Sequence, residues 1–194
     1  MSTPRLHGET EFIIARAMAD ELEAYLKSDV LFWPLPPNNP LGDKMPQLTI
    51  GGLLEALVRA EAAADELGAD QRAALSAIKQ QHDRIRADHP VAYEQHAVRE
   101  VHSRLNTWAT FMDDATRRPN DLAYYAHEVR ARAKIYLLAQ VLGAALPVAE
   151  KRRINELDAR LYEMWEPGAF VWDPRLQAAF PQEACWWLYG RWPE

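Results

Sequence analysis

Residues 69–142 read ADQRAALSAIKQQHDRIRADHPVAYEQHAVREVHSRLNTWATFMDDATRRPNDLAYYAHEVRARAKIYLLAQVL, without one glycine between Gly68 and Gly143. Only Pro90 and Pro119 interrupt the stretch. Glycine and proline are the strongest local breakers of regular structure. The span therefore predicts three long helices jointed at two prolines, over 71–87, 91–117 and 120–142, in an all-α protein. The middle helix carries Val98, Val101, Leu105, Trp108, Met112 and Ala115 at alternating spacings of three and four. That is the seam geometry of antiparallel bundles and coiled coils. At 1.5 Å per residue the segment from Val91 to Arg118 would reach about 42 Å, long enough for its end to meet a partner subunit. His96 falls opposite this stripe and is expected at the surface. The second half of the 120–142 helix (Ile135, Tyr136, Leu137, Leu138, Val141, Leu142) is apolar on nearly every face, which places it centrally.

Working outward, Phe12, Ile14, Met18, Leu22, Tyr25 and Leu26 recur at helical spacing and predict a helix over 10–28. A helix over 49–67 follows, with Thr49 as its N-cap and Gly68 as its C′ residue. Asp70 is the candidate cap of the next helix, and Asp88 that of the helix opened by Pro90. A sixth helix is expected over 147–166. Between the first two helices lie Pro34, Pro36, Pro37, Pro40 and Pro46. Each proline fixes φ and removes a donor, so this segment reads as an extended strap, pinned by Phe32 and Trp33, or as a lid that forms a site. As an extended strap it would free the first two helices from being antiparallel neighbours. From Tyr162 to Glu194 the chain holds nine of its 19 aromatic residues. A disordered tail would be poor in them. Residues 167–194 therefore form an ordered tail. It either docks on its own helices or makes an interface, with Trp186, Trp187 and Trp192 as the interface candidates.

The whole is expected to be a single helical domain of 194 residues, a six-helix bundle with strap and tail. The single cysteine, Cys185, forbids an intrachain disulfide and favours a reducing compartment. The N-terminus is polar through Glu11 and has no apolar h-region, so no signal peptide is expected. The longest apolar run, Ile135–Ala149, is shorter than the roughly 20 residues of a spanning helix. A cytoplasmic, membrane-free protein follows as the expectation.

Charge is uneven. Residues 1–70 carry a net −7, residues 71–153 a net +5, and residues 154–194 a net −4, giving −6 overall. Arg117-Arg118, Arg130-Arg132-Lys134 and Lys151-Arg152-Arg153 form separate basic patches rather than one stripe. The overall negative charge disfavours nucleic acid. His82, His89 and His96 are seven apart, two helical turns or about 10.5 Å. Metal ligation at about 2.0–2.1 Å favours spacings of three or four, so these three form no site among themselves. No acidic residue stands three before any of the histidines at 82, 89, 96, 102 and 127, so the Glu-x-x-His pairs of di-iron bundles are missing. Asp113-Asp114 lacks a third acid, because Arg117 stands where it belongs. Gly51-Gly52 has no following lysine and belongs to no G-x-G-x-x-G, which leaves helix packing as its use. No metal and no cofactor are expected.

Two functional expectations remain. The first is a non-catalytic helical interaction or regulatory module acting as a homodimer. The alternative is a small-molecule-binding bundle or enzyme with a pocket beneath the proline-rich segment, where Trp33, His82 and His89 are the candidate ligand contacts. His82 lies on the apolar stripe between Ile78 and Ile85, which also suits a satisfied core histidine.

Overall fold

The computed structural model describes residues 5–117 and 125–191. Helix dominates: α1 Gly8–Leu26, α2 Ile50–Ala62, α3 Ala69–Asp88, α4 Pro90–Arg117, α5 Tyr125–Glu128, α6 Arg130–Leu142 and α7 Val148–Tyr162. A two-stranded antiparallel sheet, β1 Glu166–Phe170 and β2 Tyr189–Arg191, follows near the C-terminus. Among the described residues, no helix is long and apolar enough to cross a membrane. Packing divides the chain into two compact units. One is Leu6–Glu100, and the other takes the described residues from Val101 on, so the boundary falls within α4.

In the first unit, α1 and α2 run antiparallel. Gly8 donates its amide to Glu66 Oε2 at 2.7 Å, just beyond α2. Glu11 holds Arg59 through two contacts of 2.6 and 2.9 Å. The Met18 methyl lies 3.6 Å from where a Cβ of Gly52 would stand. As one helix number rises the other falls, which only an antiparallel pair does. The buried side of α1 is Phe12, Ala15, Met18, Ala19, Leu22, Tyr25 and Leu26, the 3.6-residue period read from the sequence.

The connection from α1 to α2 corrects one expectation. Trp33 N donates to Leu48 O at 3.0 Å and Leu48 N returns to Trp33 O at 2.9 Å. This pairing closes residues 34–47 into a loop in place of an extended strap. Two donors paired near its base outweigh the extended bias of five prolines, none of which sits at the paired positions.

The helix ends show why the chain stops and starts where it does. The first amides of a helix have no partner within it. Thr49 caps α2, accepting from Gly52 N at 2.9 Å. Gly68, not Asp70, caps α3, and Gln71 Oε1 accepts the Gly68 amide at 3.0 Å. Asp70 then lies in the first turn, where a carboxylate complements the helix dipole. Gly68 has φ −67°, so it is not a left-handed C′ residue; α2 has already ended at Ala62. His89, not Asp88, holds the cap position of α4, its carbonyl accepting Tyr93 N at 3.0 Å. Gly143, with φ +51°, does end α6 in a conformation that side chains resist.

On α4 the buried face begins at Tyr93, His96, Ala97 and Glu100 and continues at Val101, Leu105, Trp108 and Met112. His96 is therefore buried, at 3% exposure, against the surface position expected. Val98, taken as the start of the stripe, is only half-buried. It set the phase of the first turns wrongly.

In the second unit α6 is buried around most of its circumference, at Ala131, Arg132, Ala133, Ile135, Leu137, Leu138 and Leu142. Arg132 is neutralised by a two-point pair with Asp158 on α7, at 2.7 and 2.8 Å. The segment after α7 packs on its own unit. Tyr125 Oη donates to Trp187 O at 2.6 Å, Trp172 Nε1 donates to Ala126 O at 2.7 Å, and the Arg132 guanidinium lies over the Trp187 ring at 4.9 Å. The sheet was not foreseen, because Glu-Pro-Gly-Ala-Phe has poor strand composition. Its pairing depends on Gly190, whose Cα lies under Glu166 O and the Trp165 indole with no room for a Cβ. The start of the predicted 120–142 helix and Trp192 lie outside the described residues.

Candidate binding cleft

One ridge of α1, formed by Phe12, Ile13, Arg16, Ala17, Asp20 and Glu21, faces Pro36, Asn38, Asn39 and Pro40 of the loop. The spacing is helical: three adjacent pairs, each one turn from the last. A cleft of about 360 Å³ separates the two walls. Its floor is apolar, and its rim carries one guanidinium and two carboxylates.

The loop wall is organised by Asn39. Its Nδ2 donates to Pro36 O at 2.8 Å, its Oδ1 accepts from Leu41 N at 2.9 Å, and its carbonyl accepts from Gly42 N at 3.1 Å. Gly42 sits at φ +57°, where glycine carries no Cβ penalty. Pro36 and Pro40 add fixed φ angles on either side. The wall is thus stiffened by its own residues.

Trp33, a predicted contact, does not line the cleft. It donates its indole N–H to Glu21 Oε2 at 3.2 Å and so orients a carboxylate that does. His82 is 5% exposed with both ring nitrogens engaged, Nε2 with Tyr93 Oη at 3.0 Å and Nδ1 with Asp83 Oδ1 at 3.0 Å. Burial lowers its pKa, with the Asp83 carboxylate opposing. Tyr93, held up by the same burial, stays a neutral phenol. His89 is half-buried and lies 3.8 Å from Glu23. Among the described residues, these three candidates have separate polar partners. Trp187 is fully buried within the second unit, while Trp186 is half-buried with its ring edge-on to Tyr162 at 5.3 Å.

The sequence reading missed two groups. Glu100, fully buried, accepts Thr49 Oγ1–H and Gly51 N–H, both at 2.7 Å. The N-terminus of α2 is an anion site, and the chain fills it with its own carboxylate. The signal was available: Glu100 lies one turn from Ala97, beside Val101, on an apolar face. His96 is the second. Its Nε2 donates to Ser28 O at 3.1 Å, its ring rests against Tyr25 at 4.3 Å, and its Nδ1 is buried with no partner among the described residues. Burial lowers its pKa.

Among the described residues, no three His, Cys, Asp or Glu side chains are grouped to hold a metal. Cys185 is fully buried, and burial pushes its thiol up to about 11. Comparison with protein-family models, curated proteins and solved structures gives no match.

Proposed function

We propose that the protein is a helical binding module whose working surface is the cleft between α1 and the Pro36–Pro40 loop, and that binding rather than bond chemistry is its role. The observation that carries this reading is the closed loop itself. Paired at Trp33 and Leu48, it stands off from α1 and leaves about 360 Å³ open over Phe12, Ile13 and Ala17. Concave sites with apolar walls and a few placed polar groups are the usual form of small-molecule sites. A stiff wall lowers the ordering cost of binding. A cytoplasmic setting belongs to the same reading, supported by Cys185 being a buried free thiol.

The test is amide NMR with 4-phenylbutan-1-ol, an uncharged probe small enough for the cleft. Saturable shifts at Ile13, Ala17 and Asn39, lost when Ala17→Trp fills the floor, support the reading. No saturable shift at these amides, or shifts that survive the filling variant, overturn it.

A second reading, an interaction module acting as a homodimer, rests on a different observation. Tyr162 is 72% exposed and abuts the half-buried Trp186, an aromatic edge of the kind enriched at interfaces. Val101, Leu105, Trp108 and Met112 of the α4 stripe, and Trp187, which first suggested an interface, are covered by the chain itself. Native mass spectrometry separates the outcomes. A dimer abolished by Tyr162→Glu supports this reading, and a monomer at micromolar concentration removes it.

A further inference from the structure

Glu21 is a half-buried carboxylate on the wall of the cleft, and among the described residues its one polar partner is the Trp33 indole, on Oε2. Among the described residues no cation pairs with it. Two buried acids of the same unit are met differently: Glu11 has Arg59, and Glu100 has the α2 N-terminus. Asp20 lies beside Glu21 on the same rim. Its contact with Arg16 is 3.9 Å, longer than a hydrogen bond, between two side chains that are each more than half exposed. A carboxylate with a hydrogen bond on one oxygen can accept a charge-assisted bond from a cation at the other.

Resting on the cleft reading above, we infer that the ligand is an amphiphilic organic monocation, an ammonium group carried on an apolar body. Its ammonium donates to Glu21 Oε1 and faces Asp20. Its body covers Phe12, Ile13 and Ala17 and packs between Pro36 and Pro40. Trp33 is a positioning residue: by holding Oε2, it turns the other oxygen of Glu21 toward the ligand. Arg16 lies one turn nearer the helix N-terminus than Asp20. It makes the rim positive at that end, which orients the ligand with its charge toward Glu21 and disfavours a second cation. The excess of acid in the surrounding chain, a net −7 over residues 1–70, adds attraction at long range.

The test uses three probes with one body and three charges: 4-phenylbutylamine, 4-phenylbutan-1-ol and 4-phenylbutyrate. Each is titrated into the full chain at pH 7 and low salt, with Ile13 and Asn39 amides and the Trp33 indole N–H as reporters. The amine is expected to bind about tenfold more tightly than the alcohol and to shift the Trp33 indole resonance, with the carboxylate weakest. Glu21→Gln keeps an acceptor for Trp33 and should bring the amine to the alcohol's affinity. Asp20→Asn should weaken the amine less. Equal binding of amine and alcohol, or amine binding that ignores Glu21→Gln, overturns the cation inference while the cleft reading stands. If none of the three shifts the reporters, both fall.

Discussion

Replacing Glu100 tests the packing at the start of α2. Its carboxylate is fully buried and accepts two short hydrogen bonds, from Thr49 Oγ1 and from Gly51 N. Charge-assisted bonds of this kind contribute about 1.5–3 kcal/mol each. A carboxylate at a helix N-terminus adds about 0.3–1 kcal/mol, more when partly buried. Glu100→Ala removes all of this and strands two buried donors, so the loss should be about 3–5 kcal/mol. Glu100→Gln keeps one carbonyl acceptor but turns an amide N–H₂ toward a second donor, and should cost about 2 kcal/mol. For a chain of this size a kilocalorie moves Tm by about 2–4 °C, so the alanine variant should melt about 6–20 °C lower. Urea denaturation reads the global loss. Hydrogen exchange at the Gly51 amide locates it, because that proton should lose protection in both variants. A loss under about 0.5 kcal/mol for Glu100→Ala, with Gly51 still protected, would show that this carboxylate does not hold the start of α2.

Gly190→Ala should cost about 1–3 kcal/mol, the usual range for overpacking, because its Cβ would strike Glu166 O and the Trp165 indole; a variant of unchanged urea midpoint would count against the hairpin packing described. Gly143→Ala has open space around it but a φ of +51°, so about 1–2 kcal/mol of backbone strain alone is expected, with α6 packing intact by NMR. His82 and His96 both have pKa values lowered by burial. Their contribution to stability is full above the unfolded value of about 6.5 and is lost as pH falls through the lower folded values. Urea midpoints should drop on acidification below about pH 6.5, and His96→Gln, which can still donate to Ser28 O, should flatten that drop; a wild-type midpoint that rises on acidification would contradict the assignment. Cys185, buried and with a thiol near 11, should ignore a disulfide reagent at pH 8 until urea unfolds the chain.

Helices were legible because their signals are local. The glycine-free stretch, Pro90 and Thr49 each mark a boundary through their own backbone chemistry, and the α3 stripe placed His82 inside correctly. What was not legible depends on residues far apart in the chain. The Trp33–Leu48 pairing joins positions separated by the whole proline-rich segment, so composition suggested extension where the chain turns back. Val98 shifted the reading of α4 by part of a turn, which exposed His96 on paper and hid Glu100. The sheet rests on one glycine fitting beneath another strand's carbonyl, which no propensity records. The cleft has the same character. The prolines suggested a pocket beneath their segment with Trp33, His82 and His89 as contacts; the cleft that the loop makes is walled by α1 instead, a ridge of ordinary residues recognisable only once the loop is placed above it. Trp33 was singled out for its aromatic ring and acts through its N–H.

The most direct test of the account is where a bound amine touches the protein. Intermolecular nuclear Overhauser effects should be recorded between 4-phenylbutylamine and methyl- and aromatic-labelled protein. The account predicts contacts from the phenyl ring to Phe12, Ile13 and Ala17, and from the methylene next to nitrogen to the protons of Asp20 and Glu21. Contacts confined to any other surface, with the α1 ridge silent at saturation, would contradict it.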